Sequence, residues 1–197
     1  MKTVKYNKGK GISKVGFIFA CPGQKEQAAN KVVAGSTGKS LNTLLSILKE
    51  SNDECIRSLF PSDDRYDYLI TNASELIHYP AYDGTSLPKR SEYKTPENLT
   101  RISGEVDSLE YVIAFGQQAK EVSDLVSELR KEQGSHKPVF ITSLPHLSLL
   151  AINQIREDVS GSRIEKGDAN ATYKRLQVVA RKAEERLKLS TMTNELA

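Results

Sequence analysis

The 197-residue chain has no tryptophan, two methionines, three histidines and two cysteines. Two cysteines, Cys21 and Cys55, exclude a disulfide framework, a four-cysteine zinc site and a four-cysteine iron–sulfur cluster. Long apolar runs are also missing. No segment approaches the roughly eighteen residues that a membrane span needs, and MKTVKYNKGKGISK lacks the apolar stretch of a secretion signal ahead of Val15. No charge sign dominates either, with 28 Lys and Arg against 25 Asp and Glu and a formal balance of +3. The expectation is a cytoplasmic monomer with no metal, no cofactor and no membrane association.

The charge is unevenly spread. Residues 1–14 hold Lys2, Lys5, Lys8, Lys10 and Lys14 without an acid, and read as a basic N-terminal arm ahead of a single domain over 15–197. Residues 161–189 hold eight bases and four acids. Local basic surface, rather than net charge, attracts polyanions, because each phosphate contact releases counterions where it is made. A frayed arm and a solvated helix face give the same pattern.

Four short apolar runs, at 15–20, 68–72, 111–116 and 138–142, read as buried strands bounded by turn residues. Between them lie amphipathic segments. Leu41, Leu44, Leu45 and Leu48 form one stripe, and Ala119, Val122, Leu125, Val126 and Leu129 another. Thr95-Pro96 reads as an N-cap with proline at the first helical position. A last helix over 170–189 seams Tyr173, Leu176, Ala180, Ala183 and Leu187. This alternation predicts an α/β protein, a three-layer α/β/α sandwich on a four-stranded parallel sheet. The connections 77–94 and 151–169 are long enough to be functional or mobile.

Ligands of such sheets bind beyond the strands' carboxyl ends. The segments found there hold Glu26, Asn72, Gly116, His146 and Ser148, an inventory for recognising a polar planar group with acid–base or electrostatic help. Gly35-Ser36-Thr37-Gly38-Lys39-Ser40 partly matches a phosphate-binding P-loop, but Val33 replaces the first glycine and the motif does not follow the first strand directly. Its backbone amides suit a DNA phosphate instead.

Residues 15–45 (VGFIFACPGQKEQAANKVVAGSTGKSLNTLL) resemble the first motif region of the uracil-DNA glycosylase superfamily, closest to the family-4 pattern GEAPGxxE followed by PFVGxAGxLL. Tyr68–Asn72 is similar to its I-T-N strand end, and Thr95-Pro96-Glu97 to its T-P-E helix start. Val112–Gly116 is similar to V-I-A-L-G, and Leu144–Ser148 to the H-P-S segment that meets the DNA minor groove. The resemblance covers roughly residues 15–150 in order. It implies hydrolysis of an N-glycosidic bond in DNA after the nucleotide is flipped.

Carried over by position, Asn72 would read the base edge, His146 would donate to the base carbonyl oxygen, and Glu26 would orient or activate water. Ala20, Cys21, Pro22, Gly23, Val33 and Gly116 would touch the base. Gly35, Ser36, Lys39, Ser40, Lys89, Arg90, Leu147 and Ser148 would touch DNA. Tyr79, Tyr82 and Tyr93 are candidates for base stacking.

The departures matter as well. Ala20 stands in place of Glu, Val33 in place of the stacking Phe, and the cluster cysteines are absent. Gly23 stands where strict uracil enzymes carry a Tyr that blocks the pyrimidine 5-position. The expected substrate is therefore uracil or a bulkier 5-modified pyrimidine. Superfamily enzymes that attack glucosylated hydroxymethylcytosine in phage DNA are a precedent. Base excision repair and anti-phage defence are the settings this implies. The alternatives are a catalytically inactive DNA- or modified-base-binding module and P-loop-like nucleotide binding. Simpler roles also fit four of these residues: Asn72 capping a turn, Glu26 a helix-start acid, His146 a loop histidine and Cys21 a small buried apolar group.

Overall fold

Val15–Phe19 (β1) is buried throughout and sits in the middle of the sheet. The computed structural model describes residues 2–194, so Met1 and residues 195–197 of the predicted segments lie outside the described residues. Leu69–Asn72 (β2), Tyr111–Phe115 (β3) and Val139–Leu144 (β4) complete a four-stranded sheet in the order β2-β1-β3-β4. Every pairing is parallel, as expected for strands joined by helical crossovers. The helices in chain order are Gln24–Ala29 (α1), Ser36–Lys49 (α2), Glu54–Leu59 (α3), Pro80–Asp83 (α4), Arg90–Tyr93 (α5), Pro96–Glu105 (α6), Gln117–Glu132 (α7), Leu149–Ile152 (α8) and Ala171–Asn194 (α9). The α/β/α sandwich is the one that the periodicity predicts.

The period-2 geometry of β1 splits the core in two. Val15, Phe17 and Phe19 face a layer made by the α2 leucines and by Leu176, Val179, Ala180, Ala183 and Leu187 of α9. Ile18 faces the opposite layer, with Ile102 and Val106 of α6 and Ala119, Val122 and Val126 of α7. The seam predicted for the last helix is corrected at one end. Tyr173 is exposed, because it sits in the first turn, and Val179 packs in the seam instead. Thr95 caps α6 as expected, its Oγ1 accepting from Asn98 N–H at 3.2 Å.

The basic N-terminal segment is not a free arm. Val4 is buried, and Asn7 exchanges backbone hydrogen bonds of 2.8 Å with Ile70, so the segment runs antiparallel along the outer edge of β2. The Asn7 amide donates to the carbonyls of Tyr66 and Tyr68 at 3.1 and 2.7 Å, and Lys10 pairs with Asp67 at 2.6 Å. An otherwise open sheet edge is thereby covered.

Among the described residues no helix is long and apolar enough to cross a membrane. The two long connections are partly structured. The first holds α4 and α5, and the second begins in α8 and then pairs Glu157 with Arg163.

Candidate functional site

The strand order reverses between β1 and β3, and the carboxyl ends of the strands there frame a pocket of about 570 Å³. The residues expected to meet the base, Asn72 and His146, and the one expected to orient water, Glu26, all line it. So do Ala20, Cys21, Gly23, Val33 and Gly116.

Asn72 ends β2. It is 3% exposed, yet among the described residues its side-chain amide makes no hydrogen bond. It is not capping a turn. The residue is buried as a whole, but its amide atoms are not sealed from solvent; they open onto the pocket and are available to a ligand. Its backbone is held firmly from below. Arg101 of α6 donates to the Asn72 carbonyl at 2.9 Å, to Thr71 Oγ1 at 3.2 Å and to Glu105 at 2.8 Å.

His146 follows β4, where a bulge adds one residue between the partners of Ile113 and Phe115. Bulges of this kind re-aim the chain beside functional sites. The Ser148 N–H donates to His146 Nδ1 at 3.1 Å, so the neutral ring carries its proton on Nε2. Burial pushes the imidazole below its ordinary value of 6.5, and the Glu26 charge offsets this in part. The ring therefore stands neutral at pH 7, as a donor. Phe19 packs edge-to-face against it, with centroids 5.9 Å apart. Gly116 lies behind it with φ at +90°, and a Cβ there would come within 3.3 Å of His146 Cβ. That close approach and that backbone angle both require glycine.

Glu26 joins two loops. Its Oε2 accepts the Gly23 N–H and its Oε1 the Gly35 N–H, each at 3.1 Å. Each carboxylate oxygen keeps a second lone pair for a water or a ligand donor. Between these loops Val33 is held at φ +44°, and it is 4% exposed. A β-branched residue in the left-handed region is strained by roughly 1–3 kcal/mol, and Val33 spends that strain on the pocket wall. Cys21 is a neutral thiol. Burial, then the charges of Glu92, Asp83 and Glu26, push it up to about 12, and its Sγ approaches the Ser86 carbonyl at 3.5 Å. It is no nucleophile at neutral pH.

Several expectations are corrected. Pro22 is buried and does not line the pocket; its carbonyl accepts the His78 N–H at 2.9 Å. Leu147 is fully buried in the core and cannot touch DNA, because the turn points it inward toward the α9 layer. Leu150 lines the pocket mouth instead and is 80% exposed. Ser40 is 5% exposed, one turn inside α2 and facing the core, so it is also removed from DNA. Ser148 caps α8 and orients His146, while still lining the pocket.

Ser36 and Lys39 are exposed at the start of α2, and Lys89 and Arg90 are exposed beside the pocket. Arg90 pairs with Glu121 at 3.3 Å. The Gly35 N–H is already taken by Glu26, whose charge also disfavours a nucleotide phosphate at this helix start. Tyr93 is buried with its hydroxyl on Glu121, which removes it from stacking. Tyr79 and Tyr82 stack on each other at 5.3 Å.

No protein-family model matches this chain, and no curated protein does.

Residues the sequence did not single out also line the pocket: Thr37, Ser86, Leu87, Gln118 and Leu150. Ser86 and Leu87 arrive because 77–94 folds back over the β1 end. His78 pins that segment, with Nδ1 on Asp83 and Nε2 2.8 Å from Glu92, outside hydrogen-bond alignment. A more open groove of about 880 Å³ shares Gly116 and Gln117 with the pocket and carries Lys120, Arg156 and Lys182. Among the described residues no set of three or more His, Cys, Asp or Glu side chains converges as metal ligands.

Proposed function

We propose that the pocket hydrolyses the N-glycosidic bond of a pyrimidine nucleotide flipped out of DNA, leaving an abasic site. The observation that carries this reading is the pairing of an unpartnered, pocket-facing amide on Asn72 with a neutral Nε2–H on His146 in one pocket. An amide offers a donor and an acceptor to a base edge. A neutral imidazole donates to the carbonyl oxygen on which charge develops as the C1′–N1 bond breaks. The electron pair of that bond leaves with the base, and water adds to the oxocarbenium-like sugar, giving its proton to solvent. Glu26 keeps lone pairs with which to orient that water. No lysine lines the pocket among the described residues, which favours water over a Schiff base.

The volume favours a modified base. About 570 Å³ lies within the range that holds drug-sized ligands, and a bare pyrimidine ring fills little of it. Gly23 lines the wall without a side chain, the Glu26 carboxylate standing 3.1 Å from where a Cβ would be, and Ser86, Thr37 and Gln118 offer polar partners for a substituent. The reading covers a cytoplasmic monomer acting in base excision repair or anti-phage defence, with Leu150 as an apolar wedge at the base step.

A base-binding module without hydrolysis is the second reading. It is favoured by the engagement of both Glu26 oxygens with backbone N–H groups. One experiment separates the two. Purified protein is incubated with DNA containing uracil, ordinary bases or phage-type modified pyrimidines, and free bases are measured by mass spectrometry. Base release supports the enzyme. Salt-sensitive binding without release supports the module, and neither result leaves the DNA reading without support.

A further inference from the structure

A smaller cleft of about 210 Å³ backs onto the loop that walls the pocket. It lies between the N-terminal segment Lys5–Asn7, the turn 30–32 and the ring of Tyr66. Val32 lines this cleft and Val33 lines the pocket, so the two cavities are separated by one step of the chain. Two lysines, Lys5 and Lys31, border the cleft, and no carboxylate does. Among the described residues neither lysine has an ion-pair partner.

The aromatic content is also distinctive. The Tyr66 hydroxyl donates to the Val32 carbonyl at 3.2 Å, which fixes the ring as a wall. Lys31 Nζ lies 5.4 Å from its centroid and Arg65 Cζ 4.4 Å, so the ring itself is in a cationic field. Tyr6 is 37% exposed on the other side. Asn7 locks the segment that carries Tyr6 and Lys5 onto β2, so the cleft is built before any ligand arrives. Ammonium groups without a carboxylate partner, beside an accessible ring, form a surface that takes a phosphate and a planar base together.

We propose that this cleft holds one nucleotide of the DNA strand beside the flipped one, with its base against Tyr6 and its phosphates between Lys5 and Lys31. The proposal rests on the DNA reading above. It gives the docked N-terminal segment a task, and it extends the strand's path from the pocket along the outer edge of β2.

The test measures binding of a fluorescein-labelled single-stranded oligodeoxynucleotide by anisotropy, across about 50 to 200 mM salt. Replacing both Lys5→Ala and Lys31→Ala lowers the slope of log affinity against log salt by about 1.4, the value for two phosphates on a single strand. Tyr6→Ala weakens binding about tenfold, within the range of one lost base stack, and Tyr6→Trp restores it. Lys131→Ala, at the far end of α7, leaves both quantities unchanged. Wild-type slope and affinity in the double lysine variant, at an unchanged melting temperature, overturn the cleft. If the wild-type protein binds no DNA at low salt, the glycosylase reading falls together with it. Binding by the wild type with indifferent variants overturns the cleft alone.

Discussion

The Ser148 backbone N–H and the His146 Nδ1 are 3.1 Å apart, and this contact sets the direction of the imidazole's chemistry. With Nδ1 accepting, Nε2 is the donor that remains for the pocket. His146→Ala is expected to lower base release by about a hundredfold or more, the scale of one lost transition-state donor, with little change in melting temperature. Asn72→Ala is expected to act in the same direction. Single-turnover base release, with circular dichroism to check the fold, measures both. A His146→Ala protein with the wild-type rate removes His146 from the mechanism.

The same contact predicts a pH dependence. His146 titrates below 6.5 in the folded protein because of burial. The unfolded chain then binds more protons than the native one in the interval below that value. The stability contribution of His146 is complete above pH 6.5 and is lost as pH falls through the interval. Protonation also places a hydrogen on Nδ1, against the Ser148 N–H. Denaturant melts should therefore show His146→Asn losing less stability than the wild type below about pH 6. Parallel losses in the two proteins contradict the assignment.

Gly116→Ala tests the packing behind that ring. The new methyl group would sit 3.3 Å from His146 Cβ, on a backbone held at φ +90°. A stability loss of about 1–3 kcal/mol is expected from the left-handed backbone alone. Base release should fall further than stability accounts for, because the imidazole is displaced. An unchanged rate at saturating substrate means the ring tolerates the shift.

The strands, the α2 stripe and Ala119, Val122 and Val126 of the α7 stripe were legible because their apolar periodicity matches burial on two sheet faces, whereas Leu125 and Leu129 of the predicted α7 stripe are only half-buried and lie outside the core. The ends of β1, β2 and β3 were legible for the same reason, and with them Asn72, Gly116 and the first pocket wall. What sequence missed was set by long-range contact. Ser86 and Leu87 reach the pocket because His78 folds 77–94 back between Asp83 and Glu92, and nothing local marks that path. Glu26 meets Gly35 through a turn containing a left-handed valine, a conformation that valine itself argues against. The N-terminal lysines concealed a docked segment whose anchors, Val4 and Asn7, are a lone apolar residue and a lone amide.

Glu26 tests whether loop geometry and water handling can be separated. Glu26→Ala removes the acceptor for both Gly23 and Gly35, and each hydrogen bond to a charged group contributes about 1.5–3 kcal/mol. Glu26 is part-exposed, so a loss near the lower figure is expected in chemical denaturation. Glu26→Gln keeps one carbonyl acceptor and much of the stability. If Glu26 orients water, Glu26→Gln still loses base release, while binding of the flipped base is retained. Full activity in Glu26→Gln assigns the residue to the loops alone.

The neighbouring leucines separate core from DNA contact. Leu147 is fully buried among the α9-facing residues, and Leu150 stands 80% exposed at the pocket mouth. Leu147→Ala is expected to cost about 2–5 kcal/mol of stability, the range for emptying a core position. Leu150→Ala should leave denaturation unchanged, since its side chain has little packing to lose. Its effect should appear on DNA, because an apolar wedge offsets the cost of unstacking the base step. A 2-aminopurine placed beside the target base reports that unstacking by fluorescence. Reduced signal and slower base release in Leu150→Ala, both relieved when the target lies in single-stranded DNA, identify the wedge. Equal losses on single- and double-stranded targets would assign Leu150 to the pocket wall instead.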